Sequence, residues 1–307
     1  MGIGDVREVT AGDCSDLYVV DTGMFETSNY GAAYVLDADR PAVVESGIGA
    51  NAEHILEALE AAGIDREKLE VIAVSHIHLD HAGGAGFLAE ACPNAEVYVP
   101  EVGAHHLVDP DRLVEGTKTA VGDQWEFYAE PEPVPEERLV GLEDGDVIDL
   151  GDHELRVHAA PGHAPHHAVF EDPANDAVFT ADAAGLWAAD REEIMETSPP
   201  SQFNFERCLE DVDMLIDLDP DVLLYTHFGP REVGDDAEAA LEEYKDVLTE
   251  WVETVEEKRA ELDDDEAVIE YFGDNPKMED VWSERKAREE RMMNARGVLG
   301  YLDWREE

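Results

Sequence analysis

The feature that most constrains this chain is VSHIHLDHAGG at residues 74–84. It directly follows LEVIAV (Leu69 to Val74), whose β-branched and aliphatic residues suit a buried strand. Gly83 and Gly84 then end the loop and admit a helix, AGFLAEAC. His76, His78, Asp80 and His81 therefore stand at the carboxyl end of a strand, where open α/β sheets place their ligands. One loop histidine means little, because most are solvated. Four nitrogen and oxygen donors this close together make up the donor set of a zinc-like cation.

Around this loop the chain alternates strands and helices. DLYVVDTG and NYGAAYVLDADRPAVVESG read as early strands, the second folding back between Asp37 and Pro41. Asn51 is placed to cap a helix through HILEALEAAG, where Ile55, Leu56, Leu59 and Ala62 recur at helical spacing. The strand AEVYVP follows the histidine loop and its helix. Residues 101–150, with PEPVPEE and GLEDGD, read as an inserted loop or cap. The second half repeats the rhythm with strands in ELRVHAAPGH, HAVFED and DAVFTADAAG, a helix in FERCLEDVDMLIDL, and a last strand in DVLLYTHFG. This order predicts two packed sheets with helices outside over residues 1–235. Residues 236–307 turn helical and are expected to pack on that domain as an extension.

Three later segments extend the donor set. His163 follows the Pro161-Gly162 turn, Asp182 ends a strand in FTADAAG, and His227 ends another in LLYTHFG. With the first loop they supply five imidazoles and two carboxylates, enough for two metals with positions left for water and substrate.

The ordered motifs HIHLDH, PGH, a strand-ending Asp and a strand-ending His resemble the metallo-β-lactamase superfamily over about residues 10–235. The resemblance implies an α/β fold, a four-layer αββα sandwich with a dinuclear site on one edge. Carried over to matching positions, His76, His78 and His163 would hold one divalent ion, and Asp80, His81 and His227 the other. Asp182 would bridge them. Zinc is the first expectation, with iron or manganese as alternatives. The bridging Asp resembles the glyoxalase II, lactonase and thioesterase branches rather than the β-lactamases. What this implies is hydrolysis of a thioester or carboxylic ester by a hydroxide shared between two ions, with Asp80 also taking up the proton. A lactonase, a mono-iron persulfide dioxygenase and a non-catalytic metal-containing protein are the competing readings.

Ligating imidazoles need an acceptor on the other ring nitrogen. Glu45, in VVESG where the superfamily more often carries Asp, is one candidate, and Ser75 and Thr226 are others. His167 is a neighbouring or substrate-facing candidate with His166, and His105 and His106 could line the pocket. Tyr225 and Phe228 flank His227 and could wall it, whereas His54, His153 and His158 look structural. SERKAREERMMNARG (283–297) is locally basic. Either its cations pair with Glu284, Glu289 and Glu290 along the helix, or Arg288 and Arg291 reach over the pocket to an anionic small-molecule substrate.

Composition narrows the partners. Against 75 acidic residues stand only 21 basic ones, a net charge of −54 spread from Asp5 to Glu307. Nucleic-acid binding relies on clustered cations, so a nuclease is not expected. Such a surface resembles proteins of extreme halophiles, where the Debye length falls to about 3 Å or less and self-repulsion is screened. MGIGDVREVTAGDCSD has neither a basic start nor an apolar core, so a cytoplasmic location without membrane attachment is expected. A homo-oligomer is compatible with these expectations. Cys14, Cys92 and Cys208 have no metal-knuckle spacing and read as small packed hydrophobes.

Overall fold

The computed structural model describes residues 1–306. Its first sheet runs in sequence order through β1 (Val6–Glu8), β2 (Leu17–Asp21), β3 (Ala32–Leu36), β4 (Ala42–Val44), β5 (Val71–Ala73), β6 (Glu96–Pro100) and β7 (Leu139–Leu142). Pairing is antiparallel up to β4 and parallel from β4 to β7. The remaining strands are β8 (Val147–Asp149), β9 (Glu154–Ala159), β10 (Ala168–Asp172), β11 (Ala177–Ala181), β12 (Leu186–Ala188), β13 (Glu193–Met195), β14 (Val222–Tyr225) and β15 (Gly229–Glu232). The second sheet has the order β15-β14-β11-β10-β9-β8, and β12 and β13 form a separate hairpin.

The period-two alternation of strand side chains separates the layers. Val19, Tyr34, Leu36, Val44 and Ala73 point between the sheets and meet Leu155, Val157, Phe170, Phe179 and Leu224 from the other side. The intervening residues Val20, Val35, Val43 and Ile72 face outward onto α1 (Ala52–Ala61) and onto a helix, α3 (Ala85–Ala91), that follows a single turn, α2 (Leu79–Ala82). In the second sheet Val169, Val178, Leu223 and Tyr225 face the opposite helical layer. The protein is therefore an α/β sandwich of mixed sheets with helices on both faces.

Residues 101–150, read from the sequence as an inserted loop or cap, are more ordered than that. They hold α4 (Glu101–Val108) and α5 (Asp111–Val121), and they also supply β7 to the first sheet and β8 to the second. Proline-rich PEPVPEE only links them, and it masked two short edge strands. Asn51 also differs from expectation. It precedes α1 but makes no cap, because its side chain donates to the Gly23 carbonyl at 3.0 Å instead.

The helical layer on the second sheet comprises α6 (Phe205–Leu218), α7 (Ala237–Leu262), α8 (Asp265–Gly273) and α9 (Glu284–Glu306). Leu241, Tyr244, Leu248, Trp251 and Val298 share one apolar cluster with Val169 and Leu223 of the sheet. A buried ion pair fixes α9 there: Arg291 bonds Glu196, which follows β13, and its guanidinium lies 4.0 Å from the Trp251 ring centre. Truncating one partner leaves a charge in the core without a counterion. Glu196→Ala is expected to destabilise the fold by about 3–5 kcal/mol, read as a lower denaturant midpoint. An unchanged midpoint would mean that the pair carries no stability.

Candidate metal centre

Every expected donor lies at a strand's carboxyl end on one edge of the sandwich. His76 and His78 sit in the loop after β5, and Asp80 and His81 on the turn of α2. His163 follows β9, Asp182 follows β11, and His227 follows β14. Backbone packing holds these loops. Gly84 presses on the Ser46 carbonyl, where a Cβ would overlap it, and Gly162 lies equally tight on the backbone of Cys208. The Gly162 N–H also donates to Asp211 at 2.6 Å. Two non-glycine residues adopt left-handed backbone here, Glu45 (φ 71°) and Ala181 (φ 45°). Such local strain persists only where the surroundings over-determine it, and it is concentrated at functional sites.

The expected donors form two triads, and His167 joins His76 and Asp182 in a third, overlapping group. His78 Nδ1 lies 2.9 Å from His76 Nε2 and 3.1 Å from His163 Nε2. Asp80, His81 and His227 form the second group. Asp182 lies between them: its Oδ2 is 3.5 Å from His76, 3.3 Å from His163 and 3.0 Å from His81, and its Oδ1 is 3.7 Å from His227. A tetrahedral ion with ligand bonds of about 2.0–2.1 Å sets its nitrogens roughly 3.3 Å apart, close to the first triad's spacing. His81 Nε2, although near Asp182, is off the hydrogen-bond axis and has no directed partner. Convergent, buried, underbonded nitrogens beside two carboxylates fit divalent cations.

The electrostatics agree. Burial, reinforced by the neighbouring imidazoles, pushes His76 well below the usual histidine range. Burial also lowers His78 and His163, with Asp182 opposing in part. These rings are held neutral, as ligands must be. For His81 burial is outweighed by Asp182, Glu45 and Asp80, which raise it well above its ordinary value. Burial would raise Asp182, but the surrounding imidazoles outweigh it, the raised His81 ring 3.0 Å away among them, and hold it well below the ordinary carboxylate range.

Two of the five outer ring nitrogens have a partner, and His81 Nδ1 and His163 Nδ1 have none. His76 Nδ1 and Ser75 Oγ share a hydrogen bond at 3.0 Å, and His227 Nδ1–H donates to the Tyr30 carbonyl at 3.0 Å. Glu45 stands 3.4 Å from His81 Nδ1, near it but outside good hydrogen-bond geometry. His167 Nε2 accepts the Asp182 N–H at 3.2 Å, so His167 positions the carboxylate's backbone. Among the described residues the Thr226 side chain makes no hydrogen bond to these rings, and its carbonyl accepts the Ala32 N–H.

Over the donors opens a cavity of about 620 Å³. His166 and His106 line it, as does one face of α9 through Lys286, Glu290, Met293 and Arg296. Several expected lining residues lie elsewhere. Arg288 pairs with Glu270 and Asp274 at 2.6 and 2.5 Å on the far side of α9, and Arg291 is the buried partner of Glu196. Both are a turn or part-turn away from the face that 286, 290 and 293 define, so neither reaches the cavity. Most cations of this helix also bond carboxylates on other elements, and among the described residues only Lys286 pairs along the helix, with Glu290 at 2.7 Å. Tyr225 is core, its carbonyl accepting the Tyr34 hydroxyl at 2.7 Å, and Phe228 packs between the sheets. His105 is exposed. Sequence reasoning missed Tyr30, whose carbonyl orients His227 and whose ring walls the cavity. No motif marks that carbonyl.

An α/β sandwich carrying clustered His and Asp donors at one edge defines a class of metal-binding, hydrolase-like proteins. Within that class the chain belongs to the metallo-β-lactamase superfamily, whose family model matches residues 12–227. It is 27% identical over 222 residues to the metallo-beta-lactamase fold-containing protein ST1585 of Sulfurisphaera tokodaii, covering 70% of this chain and 79% of that protein. The hydroxyacylglutathione hydrolase of Maricaulis maris is 28% identical, with 42% of this chain and 39% of the relative covered. The human acyl-coenzyme A thioesterase MBLAC2 is 26% identical, with 54% and 62% covered. The chain thus spans less than two thirds of either of the last two. Among solved structures, the metallo-beta-lactamase family protein TTHA1429 from Thermus thermophilus has a TM-score of 0.66 at 21% identity, over 90% of this chain and 89% of that one. That fold likeness reaches beyond the family segment into the C-terminal helices.

Proposed function

We propose that the protein is a dinuclear metal-dependent hydrolase of a thioester or carboxylic ester. One observation carries this reading: Asp182 lies within 3.0–3.3 Å of histidines from two donor triads on the wall of a cavity large enough for an organic substrate. His76, His78 and His163 would hold one divalent ion, zinc first, and Asp80, His81 and His227 the second. Bound there, such ions would lower the pKa of water towards ~7 and supply a Lewis acid for the scissile carbonyl. Asp80 is the more open carboxylate, with 28% of its side chain exposed against 5% for Asp182. Its Oδ2 faces His81 and His227, which leaves Oδ1 to take the proton released during attack. Phe25, Tyr30 and Leu186 wall the cavity and limit water around the acyl group. The names of the hydroxyacylglutathione hydrolase and thioesterase relatives support the bond type.

Protein purified without added metal or chelator is expected to carry about two zinc-like ions per chain and to hydrolyse members of a thioester and ester panel. One iron per chain with oxygen uptake on persulfides would overturn the reading. Full metal without hydrolysis of any ester, thioester or lactone would favour a binding role.

A further inference from the structure

We propose that Arg112 and Arg296 bind an oxyanion, a carboxylate or phosphate, carried by the substrate away from its scissile bond. This rests on the hydrolase reading for the word substrate, but its observations are separate. Six charged residues line the cavity: Asp80, Asp182, Glu290, Arg112, Lys286 and Arg296. The two aspartates belong to the donor triads. Glu290 is neutralised by Lys286 at 2.7 Å and accepts the Tyr30 hydroxyl at 2.9 Å, so this pair has no charge to spare. Among the described residues, no carboxylate lies within ion-pair distance of Arg112 or Arg296, and neither side chain makes a hydrogen bond within the protein.

Most of the 21 basic residues of this chain do pair with one of its 75 acidic ones. Among the described residues Arg207 and Lys277 share this lack of partners, but neither lines the cavity, and Arg112 is exposed whereas Arg296 is half-buried. Every other cation of α9 has found an acidic partner: Arg285 bonds Glu126, Lys286 bonds Glu290, Arg288 bonds Glu270, Arg291 bonds Glu196, and Arg305 bonds Glu256. Among the described residues of α9, Arg296 alone lines the cavity as a cation without a partner. Arg112 stands in the first turn of α5, where the helix dipole disfavours a cation, so it does not serve its own helix. A guanidinium presents a planar fork of donors that matches carboxylate and phosphate oxygens. The structure thus leaves two such forks on the wall of one cavity.

The test compares monomethyl adipate, 2-acetoxyethyl phosphate and the neutral dimethyl adipate on wild type and on Arg112→Gln and Arg296→Gln. Steady-state kinetics and calorimetric binding to the protein as purified are both read. Wild type is expected to favour an anionic ester over the neutral one. Each variant should raise KM and Kd for that anion roughly tenfold, the scale of one charge-assisted contact, and leave dimethyl adipate unchanged. Arg296→Lys should restore part of the preference. The better of the two anions identifies the oxyanion. Hydrolysis of all three esters with no change in either variant would overturn this inference and leave the hydrolase intact. Tighter binding of an anion that both variants lose, with no hydrolysis, would sustain it and sink the hydrolase reading. Equal loss for charged and neutral esters would reduce the arginines to structural roles.

Discussion

Asp182→Ala is expected to lower kcat/KM for any ester the protein hydrolyses by more than roughly 100-fold, since even changes to outer partners of a metal site typically cost 10–100-fold. Metal content should fall as well, from about two ions per chain towards one or none. The reason is position. Among the described residues, Asp182 is the only carboxylate within 3.7 Å of histidines from both triads, so its loss removes an oxygen donor from each. It also removes the largest favourable charge acting on His81. Asp182→Asn keeps the shape and one oxygen but not the charge, and should fall between the two. The check is elemental analysis beside kinetics, with circular dichroism to confirm folding. Full metal occupancy and full activity in the alanine variant would refute a shared-donor role.

Why were the donors legible in the sequence while the cavity wall was not? HIHLDH, His163, Asp182 and His227 each sit within a few residues of a strand end, and a strand end is a local pattern of β-branched residues followed by Gly or Pro. Local chemistry therefore reports both the residue type and where the fold puts it. The wall depends on which face of α9 turns inward. That face is chosen by Glu196 capturing Arg291 and by Ser198 bonding Asn294, contacts between segments about a hundred residues apart. Arg288, Arg291 and Arg296 look alike in SERKAREERMMNARG, and only tertiary partners separate them. The same holds for residues 101–150. β7 and β8 are three- or four-residue edge strands that gain stability from the sheets they join, so their own composition marks them weakly. Tyr30 acts on His227 through a backbone carbonyl, which every residue has.

Lowering the salt from about 3 M to about 0.1 M is expected to reduce the thermal midpoint by roughly 20 °C or more, or to unfold the protein outright. Even if every base were paired, 75 − 21 leaves 54 carboxylates without a cation. Most of the ion pairs that do form are at the surface, where each contributes about 0–1 kcal/mol. The exposed side of α7 shows the problem locally. Glu238, Glu242, Asp246 and Glu250 follow one another at i,i+4 spacing, as do Glu253 and Glu257, with Lys245 as a bridge only to Glu242 and Asp213. Like charges at that spacing destabilise a helix by about 0.2–0.5 kcal/mol per pair. Multimolar salt shortens the Debye length to about 3 Å or less, which confines this repulsion to touching groups, whereas at 0.1 M it reaches about 10 Å. Summed over the whole surface, this repulsion opposes a compact state whose stability in an ordinary domain is only about 5–15 kcal/mol. The buried pair of Arg291 and Glu196 is shielded from solvent ions and should contribute little to the effect. Replacing Glu242, Asp246, Glu253 and Glu257 with their amides should therefore raise the low-salt midpoint and leave the high-salt one nearly unchanged. A midpoint independent of salt over this range would refute the expectation that this acidic surface needs multimolar salt.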